Sequence, residues 1–389
     1  MYFKQKTIIA TLLIFLCLFA GFELSAQVSG DALQPVETKK FRVTPFAAPG
    51  YTPELGFVIA GGALFGFTTD FENKELPRSS ISTALSIGFK GNYTVSAIGN
   101  TYWANDKIRV PFDIWVKDMP DEYFGVGYDN ARNRPEGDDT TSYDRFWWLI
   151  NPRVLWQFRE NLFLGVNLDL NQTKASNLST GVASDPFVQE QGTDNYNTGL
   201  GVIFMHDSRD FPVNAYSGWY LRVSATFYGE YLGGDNVYQI YDIDYRQYQQ
   251  IVRPGSTLAW NIYSRSGTGP VPWPEMSMVG SPFDLRGYRW GQYRDRAGLY
   301  AIAEYRFKFM TDKPNRLRPY EGRKESRHGV VVWTGFGAIG DDWGLQWGNY
   351  MWNIGFGYRF EVQPRMNARI DIGWGFKTRG LYFNFNEAF

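Results

Sequence analysis

Apolar and polar residues alternate with a period of two along segment after segment of about ten residues, and few folds accept such a repeat. Between Asn161 and Asn171, Leu162, Leu164, Val166, Leu168 and Leu170 share one face, while Asn167, Asp169 and Asn171 share the other. Between Lys107 and Lys117, Ile108, Val110, Phe112, Ile114 and Val116 alternate against Arg109, Asp113 and Lys117. The pattern returns from Leu299 to Phe309 against Glu304, Arg306 and Lys308, and from Trp352 to Phe360 against Arg359 and Glu361. It appears again from Met366 to Phe376, against Arg369 and Asp371. Successive side chains of a strand point to opposite sides, so each segment is a strand with one apolar and one polar face. Such strands build either a soluble sheet with one wet face or a membrane barrel with lipid outside and water within.

Composition helps to choose. Aromatic residues make up 18% of the 389 residues, 41 are glycine, and the mean hydropathy is -0.35. Barrels combine Trp and Tyr girdles with a polar interior, which accommodates both the aromatic content and the low hydropathy. Beyond the first residues no apolar run approaches the roughly 20 residues of a spanning helix. The start of the chain has Lys4 and Lys6, an apolar run from Ile8 to Phe19, then Leu24, Ser25 and Ala26, the order of a signal peptide cleaved after Ala26. Many long strands behind such a leader, in a chain ending on Phe389, favour the membrane barrel. The single cysteine, Cys17, lies inside the leader and follows Leu16, not the small residue that lipid attachment needs. The mature chain is therefore expected to lack disulfides, thiolate metal sites and a cysteine nucleophile. A net charge of -1 gives no reason to expect nucleic acid as a partner.

Sixteen strands are predicted, near 55–69, 78–90, 92–104, 107–118, 121–129, 143–158, 161–172, 196–206, 217–230, 237–248, 255–264, 298–309, 328–339, 350–362, 366–376 and 379–389. The division is a signal peptide at 1–26, a short Pro-rich periplasmic segment at 27–53 and an all-β, transmembrane antiparallel barrel at 54–389. With the N-terminus in the periplasm, the long connectors 130–142, 172–195, 265–297 and 340–349 fall outside the cell. Two long connectors, His206 to Gly218 and Thr311 to Arg327, fall on the periplasmic side.

The catalytic inventory is thin. His206 and His328 are the only histidines, neither has an evident Ser and acidic partner in a recognisable motif, and no metal-ligand spacing appears. No enzymatic activity, cofactor or metal is expected. The lumen-facing positions carry both signs, Arg109, Arg222, Arg246, Arg306 and Arg369 against Asp113, Asp169, Asp242, Asp244 and Glu304, which gives a passive pore no clear ion preference. A passive pore or a docking barrel in an outer-membrane complex is nevertheless the alternative to any active role.

Between the eleventh and twelfth predicted strands the chain reads Leu285, Arg286, Gly287, Tyr288, preceded by Ser281 to Asp284. The stretch resembles the loop signature of the BamA/TamA-type bacterial surface antigen superfamily. Asp207 to Asp210, Glu304 to Phe307, and Ile370 to Gly375 running on to Phe389 are similar too, so the likeness spans most of 51–389. It lacks the family's POTRA repeats and so resembles a short, POTRA-less branch. The resemblance implies localisation in the bacterial outer membrane, with the long outer loop folded into the lumen. Arg286 would anchor that loop to the inner wall, with Glu304, Glu361 and Asp371 as candidate partners by alternation. Glycine at 287 would permit the tight backbone.

One departure concerns the thirteenth strand. The family carries an aspartate in an F-x-D-x-G pattern, whereas Trp333 to Gly337 places Gly335 there, so the usual acidic partner is missing. The family's lateral gate lies between first and last strands. Here that seam would comprise Gly56, Gly61, Gly62 and Gly66 against Tyr382, Phe383, Phe385 and Phe389, with glycine weakening the first strand. The resemblance thus implies a barrel that helps insert or translocate outer-membrane or surface proteins through the seam. Its partners would be outer-membrane lipids, such client proteins and periplasmic or lipoprotein components.

Overall fold

The computed structural model describes residues 41–52, 56–70, 72, 76, 78–88, 91–253, 255–311, 325–343, 349–363 and 365–389. All of them lie in the unit Lys40–Phe389; the leader expected at 1–26 and residues 27–40 lie outside the described residues. One antiparallel sheet holds sixteen strands in chain order. They are β1 (Phe41–Thr52), β2 (Gly56–Phe67), β3 (Ser79–Gly88), β4 (Tyr93–Trp103), β5 (Ile108–Glu122), β6 (Ser142–Arg159), β7 (Leu162–Ser176) and β8 (Asp194–Asp207). β9 (Gly218–Tyr228), β10 (Tyr238–Gln250) and β11 (Ser256–Thr268) follow. The short strands β12 (Ser277–Val279) and β13 (Tyr293–Asp295) form a separate ribbon within a connector. The sheet then resumes with β14 (Ala297–Met310), β15 (Glu325–Gly340), β16 (Tyr350–Gln363), β17 (Met366–Gly375) and β18 (Thr378–Phe385). Among the described residues no helix is long and apolar enough to cross a membrane.

The polarity of the sheet is inverted relative to a soluble protein. Along β16, Ile354 and Phe356 are each 52% exposed while Asn353 is fully buried, and along β15 Val332 is exposed where Trp333 is buried. The most deeply buried side chains include Arg286, Arg369, Glu304 and Asp371. An apolar outer face is stable against hydrocarbon and costly against water, so this alternation is that of a transmembrane barrel.

The count of sixteen is as expected, but its members differ at two places. Phe41–Thr52, expected as the latter part of a lead-in, is strand β1, paired with β2 along its whole length. Pro45 and Pro49 disguise it, because proline breaks a ladder wherever its nitrogen faces a partner. The strand expected at 121–129 does not exist as such. β5 continues to Glu122, and beyond it Gly125 and Gly127 adopt φ of +87° and +92°, which ends the extended run before helix α1 (Tyr128–Asn133). Tyr123 turns inwards against Trp273, with ring centroids 4.9 Å apart. The two errors cancel in the count, yet they invert the direction of the first four expected strands.

With β1 ascending, the long connectors 123–141, 177–193, 229–237, 269–296 and 341–349 share one rim. Three of them close it. Trp273 is fully buried between Tyr123 and Tyr143, and its indole nitrogen donates to the Gly192 carbonyl at 3.0 Å. Gly127 N donates to Arg294 O at 2.8 Å. The helices α2 (Thr180–Ala183) and α3 (Pro186–Gln191) of the second loop are capped by Ser179 and Asp185, the latter also accepting from Tyr123 Oη at 3.0 Å.

Candidate functional site

The connector from 269 to 296 folds into the lumen, and Arg286 on it has no exposed surface. Arg286 Nη1 donates to Asp371 Oδ2 on β17 at 2.9 Å, and Nη2 donates to Glu304 Oε1 on β14. Its guanidinium carbon sits 3.6 Å from the ring centroid of Trp333 on β15. A planar, permanently charged fork suits this site because two carboxylates from different strands and one aromatic face must be met at once. Glu361, the third candidate partner, is elsewhere: it accepts from Lys308 Nζ.

The pair of carboxylates belongs to a larger buried cluster. Asp371 also accepts from Arg359 Nη1 at 2.5 Å and Arg369 Nη1 at 3.0 Å, and Glu304 accepts from Arg306 Nε at 2.9 Å. Glu387 points inwards and accepts from Arg359 Nε at 2.8 Å and Asn367 Nδ2 at 2.6 Å. Arg369 Nη2 reaches back to the Pro282 carbonyl at 2.9 Å, and Arg306 Nη2 to the Phe389 carbonyl at 3.1 Å. Four guanidinium groups thus surround three carboxylates, all nearly excluded from water. A network of this kind fixes one geometry, since any member removed leaves its partners charged and buried.

Backbone contact is equally close. Gly287 has φ of +116°, and a Cβ added there would lie 2.7 Å from Gly375 N and from Trp374 C. A Cβ on Gly373 would lie 2.4 Å from Arg286 O, so the loop lies on β17 glycine against glycine. Gly287 N donates to Tyr382 Oη at 2.9 Å, and Tyr382 Oη donates to Tyr288 O at 3.1 Å. Tyr288 Oη in turn donates to Trp352 O at 2.9 Å and accepts from Phe376 N at 3.0 Å. At the loop's own turn, Asp284 Oδ1 accepts from Gly280 N at 3.0 Å and from Leu285 N, while burial pushes its carboxyl up.

Gly335 has a spatial explanation. A Cβ there would lie 2.5 Å from Asn353 Oδ1 and 2.7 Å from Leu285 Cδ2, so Leu285 and Asn353 occupy the room an aspartate would need. Asn353 Nδ2 donates to Arg286 O at 2.8 Å, while the acidic contacts come from β14 and β17. Sequence reasoning missed Asn353, Trp333 and Gly373. Their strand positions face the lumen, but only the loop's docking selects them from other inward residues.

The seam also falls differently. Gly56, Gly61, Gly62 and Gly66 lie on β2, which is paired to β1 on one side and β3 on the other, so they are not at the seam. A Cβ on Gly62 would lie 2.0 Å from Thr83 O on β3 and 2.9 Å from the Phe46 ring on β1. The seam lies between β1 and β18. Their Cα traces come within 8 Å, but among the described residues no backbone ladder joins them, whereas fifteen ladders join the sixteen strands elsewhere. Tyr382 faces the loop as described, Phe383 and Phe385 belong to β18, and Phe389 is buried beneath Arg306, 4.9 Å from its guanidinium carbon.

Several other lumen charges pair locally. Arg109 Nη1 donates to Asp207 Oδ2 at 2.8 Å, Arg246 pairs with Asp244 at 2.6 Å and Arg265 with Asp242 at 3.3 Å, and Arg153 meets Asp113. Asp207 also accepts from Arg209 Nε at 2.8 Å, and Asp210 accepts from Arg365 Nη2 at 3.1 Å, which orders the connector between β8 and β9. A cavity of about 290 Å³ remains, lined by Asp113, Asp169, Arg222 and Asp242 among others. His206 stacks on Trp219 at 3.6 Å and His328 contacts Tyr358. Among the described residues no group of His, Cys, Asp and Glu is placed to hold a metal ion.

The profile of the Omp85 superfamily domain matches residues 65–380. No curated protein sequence matches the chain significantly. Among solved structures, BamA from Haemophilus ducreyi lacking POTRA domains 1-3 is similar with a TM-score of 0.55 at 12% identity, over 89% of this chain and 69% of that one. CdiB from Acinetobacter baumannii gives 0.52 at 13% identity, over 90% of this chain and 60% of CdiB. CdiB from Escherichia coli gives 0.53 at 10% identity, over 88% and 63%. The chain therefore spans less than two thirds of either CdiB, and at these identities the likeness is one of fold. The inverted polarity, the inward loop on its Arg286 anchor and the profile match agree: the chain belongs to the Omp85 superfamily of bacterial outer-membrane barrels.

Proposed function

We propose that this barrel assists the insertion or translocation of outer-membrane or surface proteins, using the seam between β1 and β18 as a lateral opening. One observation carries the reading: the β1–β18 junction alone lacks a ladder among the described strands of the sheet. An unpaired edge in a bilayer is a template for an added strand, and every other junction here is closed. The family supports an assembly role, because the signature around Arg286 resembles that of protein-inserting and protein-translocating barrels. The clients would be outer-membrane polypeptides, with periplasmic or lipoprotein components delivering them. No covalent chemistry is involved, and the barrel acts without cofactor or metal.

The alternative, a passive pore, is weakened by the inward loop, which is anchored inside the lumen by Arg286. The test is depletion followed by outer-membrane proteomics, complemented by a barrel carrying cysteine pairs between Phe41–Ala47 and Thr378–Leu381. Depletion should alter the outer-membrane proteome, and oxidising the pairs should reproduce that change. A locked seam that fully complements depletion would rule out lateral opening. A large, steady single-channel conductance of the purified barrel would favour the pore instead.

A further inference from the structure

Prolines elsewhere in the sheet show what this residue does to a ladder. The β5–β6 pairing passes from Arg109↔Leu155 directly to Phe112↔Pro152, leaving Val110 and Pro111 without partners on that side. On its other side Pro111 pairs with Asn100 in an unbroken ladder. Pro152 does the same: the β6–β7 pairing passes from Ile150↔Leu170 to Arg153↔Asn167. A proline thus opens a gap on the side its hydrogen-free nitrogen faces, and no gap on the other. The β1–β2 ladder, in contrast, runs unbroken from Phe41↔Phe67 to Thr52↔Gly56, straight through Pro45↔Ala63 and Pro49↔Ile59. The nitrogens of Pro45 and Pro49 therefore face away from β2, towards the seam. Because hydrogen-bonding direction alternates along a strand, residues 41, 43, 45, 47, 49 and 51 face the seam, and two of these six have no N–H to give.

The two edges of the seam are built to opposite designs. An unpaired N–H in hydrocarbon has no water to bond to, so an edge with fewer of them stands open in a membrane more readily. The same loss denies a neighbouring strand a continuous ladder. β18 has no proline between Thr378 and Phe385, pairs with β17 without interruption, and is fastened from inside by Tyr382 to the loop backbone. Just beyond it, Glu387 is held by Arg359 and Asn367.

We propose that the seam is one-sided: β1 is a proline-blunted terminator that keeps the sheet from zipping shut, and β18 is the pairing edge for an added polypeptide strand. The strand would belong to an outer-membrane client, with alternating apolar and polar residues like those of this barrel. The second half rests on the assembly reading above; the first does not.

The first half is tested on the purified barrel in phospholipid vesicles, comparing the parent with a Pro45→Val, Pro49→Val double variant. Valine favours strands, so the variant retains its fold. Disulfide yield for cysteine pairs between β1 and β18 should rise several-fold in the variant, and hydrogen exchange of the β18 amides should slow. Unchanged yields and exchange would overturn the terminator role. For the second half, benzoylphenylalanine is placed at Ala47 or at Leu381 and irradiated in cells. Adducts with outer-membrane polypeptides are expected at Leu381 and not at Ala47. The opposite result would overturn the pairing edge while leaving an assembly role intact; adducts at neither site would remove the assembly role and the pairing edge together.

Discussion

The two strands that flank the seam are both edges, yet they are held in different ways. β1 is tied to the barrel by its ladder to β2 and by apolar contacts such as Phe41 on Phe65, with ring centroids 6.2 Å apart. β18 is tied to β17 and also, through Tyr382, to the loop whose Arg286 enters the buried network of Glu304, Asp371, Arg359 and Arg369. One edge is held through its hairpin, while the other is part of a network that reaches four strands and the loop. The difference shows that the two sides of one junction need not be symmetric: β18, fixed from inside the lumen as well as along its ladder, is a platform, whereas β1 turns the nitrogens of Pro45 and Pro49 towards it.

The largest expected effect is that of Arg286→Ala. It takes from Glu304 one of two guanidinium partners and from Asp371 one of three, inside a network closed to water, a loss of about 3–5 kcal/mol. Urea unfolding in detergent should show that loss, and proteolysis of the inward loop should accelerate. If the comparison is right, hydrogen exchange should rise in β18 and remain unchanged in β1; a rise of equal size in both would break it.

Gly335→Asp restores the acid usual in the family at a position where Leu285 and Asn353 leave no room. Overpacking there should cost about 1–3 kcal/mol, and the double variant Gly335→Asp, Leu285→Ala should recover part of it. A stabilised single variant would show that the acidic partners on β14 and β17 are not the ones that matter.

Tyr382→Phe isolates the tie between loop and β18. It orphans Gly287 N and Tyr288 O and should cost about 1–3 kcal/mol. Cysteine pairs across the seam should then form faster, because the platform loosens; unchanged kinetics would place the fastening elsewhere.

The smallest effect concerns pH. Burial pushes the Asp295 carboxyl up to about 6, with Asp341 adding to the shift. An acid raised in the folded state stabilises it at low pH, and the contribution is lost as pH rises through the folded value. The inward loop should therefore resist protease better near pH 5 than near pH 7, and Asp295→Asn should abolish the difference. A loop equally resistant at both values would exclude Asp295 as the cause.

Much of this was legible in the chain. Alternation at Asn161–Asn171, Lys107–Lys117 and Met366–Phe376 specifies strands with two unlike faces, because the period of side-chain direction in a strand is fixed by covalent geometry. Arg286, Glu304 and Asp371 were singled out because each falls on a polar face or on a recognisable loop. Three things were decided only by the tertiary structure. Phe41–Thr52 is a strand because an edge needs partners on one side alone, so its prolines read as breakers in one dimension and are harmless in three. Glu361 and Asp371 look alike along the chain, but the point where the loop crosses β17, glycine on glycine at Gly287 and Gly373, selects Asp371. Gly335 reads as a missing acid until Leu285 is seen filling its place. Local pattern fixes which face a residue takes; which partner it meets there depends on register and on where a long loop lands, and those are properties of the assembled sheet as a whole.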